Sequence, residues 1–132
     1  MTLWMRHLGV PALLFLLALI ACQPEAAPEP TATPDPVVVQ GRELFSRHCA
    51  SCHATEPGTV IVGPSLAGMA DRAGDRVPGF DAHAYLLQSI VQPGAHVVEG
   101  FDDTMPSNFG KRLTGDEIDA LVAYLMTLGA SG

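Results

Sequence analysis

Residues 49–53 read Cys-Ala-Ser-Cys-His. Two thiols three residues apart, followed directly by an imidazole, narrow what such a chain can be. On one helical turn, residues three apart point roughly the same way. Each sulfur can then form a thioether to one of the two vinyl groups of a haem, and His53 falls under the iron as its proximal ligand. Covalent attachment retains a cofactor that a very small domain would otherwise lose. The motif therefore predicts one covalent haem c, held through Cys49 and Cys52 with His53 on the iron. Paired cysteines have two other common uses. A redox Cys-x-x-Cys sits beside a βαβ pattern, and none is visible. A structural zinc takes four ligands, usually in two close pairs; there is no second pair, and His83 and His96 stand apart.

With 132 residues the chain holds one domain and its appendages. Its net charge is −7 and its pI about 4.9, so the basic footprint of a nucleic-acid binder is missing. Of three cysteines, the motif uses two, which leaves Cys22. An odd cysteine in an exported protein needs a reason, and the N-terminus offers one. After Arg6 and His7, the 13 residues Leu8 to Ile20 are almost unbroken apolar. That length suits the hydrophobic part of a signal peptide and is short for a bilayer span. Leu19-Ile20-Ala21-Cys22 then resembles a bacterial lipobox, which implies cleavage after Ala21 and a diacylglyceryl group on Cys22. Two acyl chains give stable anchoring where one is marginal. The expectation is a signal peptide over 1–21 and lipid attachment at Cys22, on the outer, periplasmic or extracytoplasmic face of the bacterial cytoplasmic membrane. The alternative is an uncleaved signal-anchor helix. Residues 23–36 carry prolines at 24, 28, 30, 34 and 36. They favour extended polyproline II over helix and would reach about 40 Å as a tether.

The 96 residues from Val37 to Gly132 form the head. A domain this small is marginal by burial alone, and a haem would give it an apolar centre. The pattern predicts an all-α head with three main helices and no convincing strand. The first spans about Val38 to Cys52. The second runs from an Asp81 N-cap to Gln92, stopped by Pro93-Gly94. The third begins at the capping box Thr114-Gly115-Asp116-Glu117. Ile118, Leu121, Val122, Leu125 and Leu128 follow it at helical spacing as one buried stripe. Asp116, Glu117 and Asp119 suit the positive end of that helix, and Met126 is expected in the core.

Taken with the haem motif, the head resembles the class I cytochromes c over essentially its whole length. Gly41 and Phe45 match the Gly-x-x-x-aromatic pattern of that family's first helix, and Tyr124 matches the aromatic of its last. Two helices then cross closely at Gly41, with aromatics filling the angle. Gly63-Pro64-Ser65-Leu66 matches the family's Gly-Pro-x-Leu segment. The resemblance implies that the Pro64 carbonyl accepts a hydrogen bond from His53 Nδ1–H and so fixes tautomer and ring orientation. Met105-Pro106, in a loop before the last helix, stands where these cytochromes place their axial methionine. His/Met ligation raises the reduction potential and fills both axial positions, leaving no place for a small-molecule substrate. Met69, Met126, His48, His83 and His96 are the other candidates, with His96 the principal rival because it lies in a loop.

These readings imply a one-electron carrier in a respiratory or photosynthetic chain, not an enzyme by itself, with redox proteins as partners. The head has six Lys or Arg against eleven Asp or Glu, a net −5. This departs from the lysine-ringed edge of mitochondrial cytochrome c and favours partners with a basic or mainly apolar docking face. Residues 91–124 also resemble cytochrome c domains fused to haem–copper oxidase subunits and the monohaem lipoprotein subunits of alternative complex III. A fixed subunit of a membrane quinol-oxidising complex is therefore the second reading. A gas-binding haem protein is the third; it needs an open iron.

Overall fold

Asp35 and Pro36 start the first helix. The computed structural model describes residues 33–129, so the signal segment, Cys22 and the tether up to Ala32 lie outside the described residues. Helix α1 spans Pro36–His48. Asp35 caps it by accepting the Val37 amide at 2.8 Å, and Pro36 occupies N1, where a missing N–H costs nothing. The helix therefore begins two residues earlier than expected. It also ends four residues earlier, at His48. There the Cys49 and Ala50 amides both donate to the Phe45 carbonyl, at 2.8 and 3.0 Å. That shared acceptor breaks the regular ladder. Residues 49–53 close a separate turn, in which Cys52 and His53 donate to the Cys49 carbonyl at 3.0 and 2.9 Å.

The other helices are α2 (Met69–Arg72), α3 (Ala82–Val91), α4 (Phe109–Arg112) and α5 (Gly115–Leu125). Short 3-10 turns follow α2 at Ala73–Asp75 and α3 at Pro93–Ala95. Among the described residues there is no strand, and the fold is all-α. Helix α3 is capped as expected: Asp81 accepts the Ala84 amide at 2.7 Å. Its Tyr85, Leu86 and Ile90 are buried on one face. The two four-residue helices were not anticipated. Each inserts one large apolar side chain into the core, Met69 from α2 and Phe109 from α4.

The main scaffold is the pairing of α1 with α5. Gly41 makes it possible. A Cβ there would stand 2.7 Å from the Ala120 carbonyl carbon and 2.8 Å from Tyr124 Cβ. Phe45 and Tyr124 fill the crossing with ring centroids 5.5 Å apart. Leu44, Leu121 and Val122 are fully buried beneath them. Met126 is 39% exposed, contrary to expectation. The helix ends at Leu125, and the chain turns so that Leu128, not Met126, packs against the core.

The capping box on α5 is complete. Glu117 N–H donates to Thr114 Oγ1 at 3.3 Å, and Thr114 N–H donates to Glu117 Oε2 at 2.9 Å. These bonds, the backbone one first, hold the Glu117 carboxyl below the usual carboxylate range. A lowered folded-state pKa gives stability that is present above the ordinary carboxylate range and is lost as pH falls through the lowered value. Glu117→Gln is expected to be less stable than wild type near neutrality, and the gap in denaturant unfolding should close on acidification.

Candidate functional site

The turn at 49–53 and the chain that follows it are bound back to back. Val62 and Gly63 N–H both donate to the Cys52 carbonyl, at 3.2 and 2.9 Å, and Leu66 N–H donates to the Ala54 carbonyl at 2.8 Å. This brings the Pro64 carbonyl to the edge of the His53 ring. His53 Nδ1 lies 2.9 Å from the Pro64 carbonyl, a group that only accepts, so Nδ1 donates. In a neutral ring that leaves the lone pair on Nε2, the nitrogen free to coordinate. Gly63 leaves room for the ring: a Cβ there would stand 2.9 Å from His53 Nδ1 and 3.0 Å from Nε2.

Cys49, Cys52, His53, Pro64 and Met105 all line one cleft of about 230 Å³. Its walls are mostly apolar, with Leu66, Leu86, Ile90, Phe109 and Leu121 among them. Burial, and then the neighbouring Cys52, push the Cys49 thiol up to about 11. A redox Cys-x-x-Cys shows the opposite, a depressed thiol pKa. Met105 is partly buried against the core, in the loop between α3 and α4. A turn in which Thr104 N–H donates to the Asp102 carbonyl at 2.9 Å precedes it.

Of the rival ligands, His48, His96 and Met69 border the same cleft, each set against other side chains, while His83 and Met126 do not line it. His48 meets Phe109 edge-on at 6.4 Å, and His96 meets Tyr85 edge-on at 5.7 Å. Met69 is only 5% exposed, within the core cluster. His83 is exposed and does not line the cleft. Sequence reasoning passed over several wall residues. Apart from the apolar spacing of α3 for Tyr85, nothing in the sequence pattern singles out Tyr85 or Phe109 as walls of the cleft, and Gly63 stands out only within the Gly-Pro-x-Leu segment.

The chain belongs to the cytochrome c family: the model for Cytochrome c matches residues 38–129. It is also 33% identical over 108 residues to cytochrome c oxidase subunit 2 of Bacillus sp. (strain PS3), a match covering 77% of this chain and 29% of that protein. Over 41 residues it is 37% identical to cytochrome c type-1 of Ascaris suum, covering 31% of this chain and 37% of that one. The chain thus spans well under half the length of these curated relatives. Membership makes it a haem-based electron-transfer protein with one covalent haem c.

The residues present fit that group. Two cysteines at the attachment spacing, an imidazole with its outer nitrogen tied to a carbonyl and a thioether all border one apolar cleft. Cys49 and Cys52 would hold the haem, which when bound supplies the reversible iron couple. The chain's own residues would hold the His53 ring through Pro64 and exclude water with apolar walls.

Proposed function

We propose that this chain is a one-electron carrier whose haem iron is held by His53 on one face and Met105 on the other. The reading is carried by one observation: His53, its Nδ1 tied to Pro64, and Met105 line the same apolar cleft as the two attachment cysteines. Met105 is preferred over its rivals because it lies in a loop beside the cleft. Met69 is packed into the core from a helix, and His96 is set against Tyr85. With both axial positions filled, the iron exchanges electrons and not substrate.

The carrier is tethered by the proline-rich segment that precedes the Asp35 cap and anchored by a lipid on Cys22. It works outside the bacterial cytoplasmic membrane in a respiratory or photosynthetic chain. Its partners are redox proteins with a basic or mainly apolar docking face. Support comes from the cleft rim, where exposed Asp102 and Asp103 stand together with Val62 and Val97, which are 55% and 40% exposed.

A second reading is a fixed monohaem subunit of a membrane complex, of the quinol-oxidising kind; the likeness to an oxidase subunit supports the coarser part of it, a subunit of a respiratory complex. Extraction from membranes in mild detergent separates the two. The carrier is expected to run alone. Co-migration with multihaem and membrane-embedded proteins at fixed stoichiometry would select the subunit instead.

A further inference from the structure

The Pro64 carbonyl belongs to a loop that makes no helix or strand of its own, yet it must stay within hydrogen-bond reach of His53. What holds it is visible on the side away from the haem cleft. Arg72, the last residue of α2, donates from Nη2 to the Ser65 carbonyl at 2.7 Å and from Nη1 to the Ala67 carbonyl. One planar guanidinium thus bridges two carbonyls of the segment that begins directly after Pro64, a fork that a lysine cannot reproduce. Ser65 adds a second restraint. Its hydroxyl donates to the Glu56 carbonyl at 2.7 Å and accepts the Ala67 amide at 3.2 Å. Burial, then the neighbouring Arg76, hold the Arg72 guanidinium below the usual arginine range. Hydrogen bonds made by such a partly desolvated charge are stronger than those in open water. Arg72 borders a shallow surface hollow with Pro57, Ser65, Gly68 and Leu128 and does not line the haem cleft.

The geometry points to Arg72 as a positioning residue for the proximal histidine: by clamping the Ser65 and Ala67 carbonyls it sets the Pro64 carbonyl against His53 Nδ1 and so tunes the electron donation of the ring. The bond from Nδ1 gives the imidazole partial negative character, which stabilises the oxidised iron. A looser Pro64 carbonyl weakens that donation and raises the potential. The inference rests on His53 being the iron ligand.

The test uses the full chain with its haem, as Arg72→Lys and Arg72→Gln, with Arg76→Gln as a control for a lost neighbouring charge. Two readouts are taken: solvent exchange of the His53 Nδ1 proton, followed by NMR on its paramagnetically shifted resonance, and the reduction potential. Exchange should be on the order of tenfold faster in both Arg72 variants, by analogy with the loss in metal affinity or activity when an outer hydrogen-bond partner is removed. The Arg72→Lys protein, which keeps its charge, should also have the higher potential. Arg76→Gln should leave exchange as in wild type. Wild-type exchange in Arg72→Lys overturns the assignment, as does equal acceleration by Arg76→Gln. Should an Arg72 variant fail to retain haem, Ser65→Ala decides, because it releases the same segment from Glu56. Faster exchange then supports the clamp, and unchanged exchange overturns it. A wild-type His53 proton with no paramagnetic shift would instead remove His53 as the ligand, and with it the tuning role assigned to Arg72, whatever the exchange rates.

Discussion

Met105→Ala is expected to abolish the weak far-red sulfur-to-iron band of the oxidised protein and to lower its reduction potential by on the order of 0.1–0.2 V, a fraction of the roughly 0.8 V over which axial ligands move haem potentials. The direction follows from chemistry. A thioether is a soft, neutral ligand that favours the reduced iron, so its removal favours the oxidised form. Carbon monoxide binding to the reduced variant should appear where wild type shows none, since the site then has an open position. The visible spectrum, a redox titration and a carbon monoxide difference spectrum read all three. Retention of the band in Met105→Ala would transfer the role to Met69, whose side chain borders the same cleft. A wild-type protein without the band would favour His96. Carbon monoxide binding by wild type would favour the gas-binding reading.

Gly41→Val should cost about 3 kcal/mol, the upper end of the range for overpacking a packed interior. The reason is what the new side chain meets. It runs into the backbone of α5 at Ala120 and into Tyr124 Cβ, neither of which is the free end of a flexible side chain. Helices α1 and α5 must move apart, and the Phe45–Tyr124 pair at 5.5 Å is then lost as well. Chemical denaturation followed by the fluorescence of the domain and by far-ultraviolet circular dichroism would register the loss. Wild-type stability would mean that the helices cross with slack at this point.

The parts of this molecule that were legible in its sequence are those written in local chemistry. The attachment motif, the Asp81 cap and the Thr114–Glu117 box each depend on a few side chains at fixed spacing, whereas the Gly41 crossing was legible only through the resemblance. Pro64 was legible through the resemblance, as part of a Gly-Pro-x-Leu segment. Helices α2 and α4 were not legible, because four residues are too short to show a period and such turns form only where tertiary packing holds them. The end of α1 was misplaced because its last bonds share one acceptor, Phe45, which no residue pattern announces. Met126 was misassigned for a related reason: helix ends shift by a residue or two, and one step past Leu125 turned a core position into an exposed one. Arg72 counted in the sequence only as a charge. Its partners are carbonyls, and every residue has one.

The proximal wall also separates two things that evolution must adjust. The bonds that fix it run between main-chain atoms of Cys52 and Ala54 on one side and Val62, Gly63 and Leu66 on the other. Any residue but proline can supply the N–H of such a bond, and only Gly63 among them is held to its type, by the His53 ring. The excursion between them, which carries exposed Val60 and Ile61, is thereby free to vary in composition while the imidazole stays where it is. Substitution at Val60 or Ile61 is expected to redraw that exposed surface while His53 keeps its hydrogen bond to Pro64.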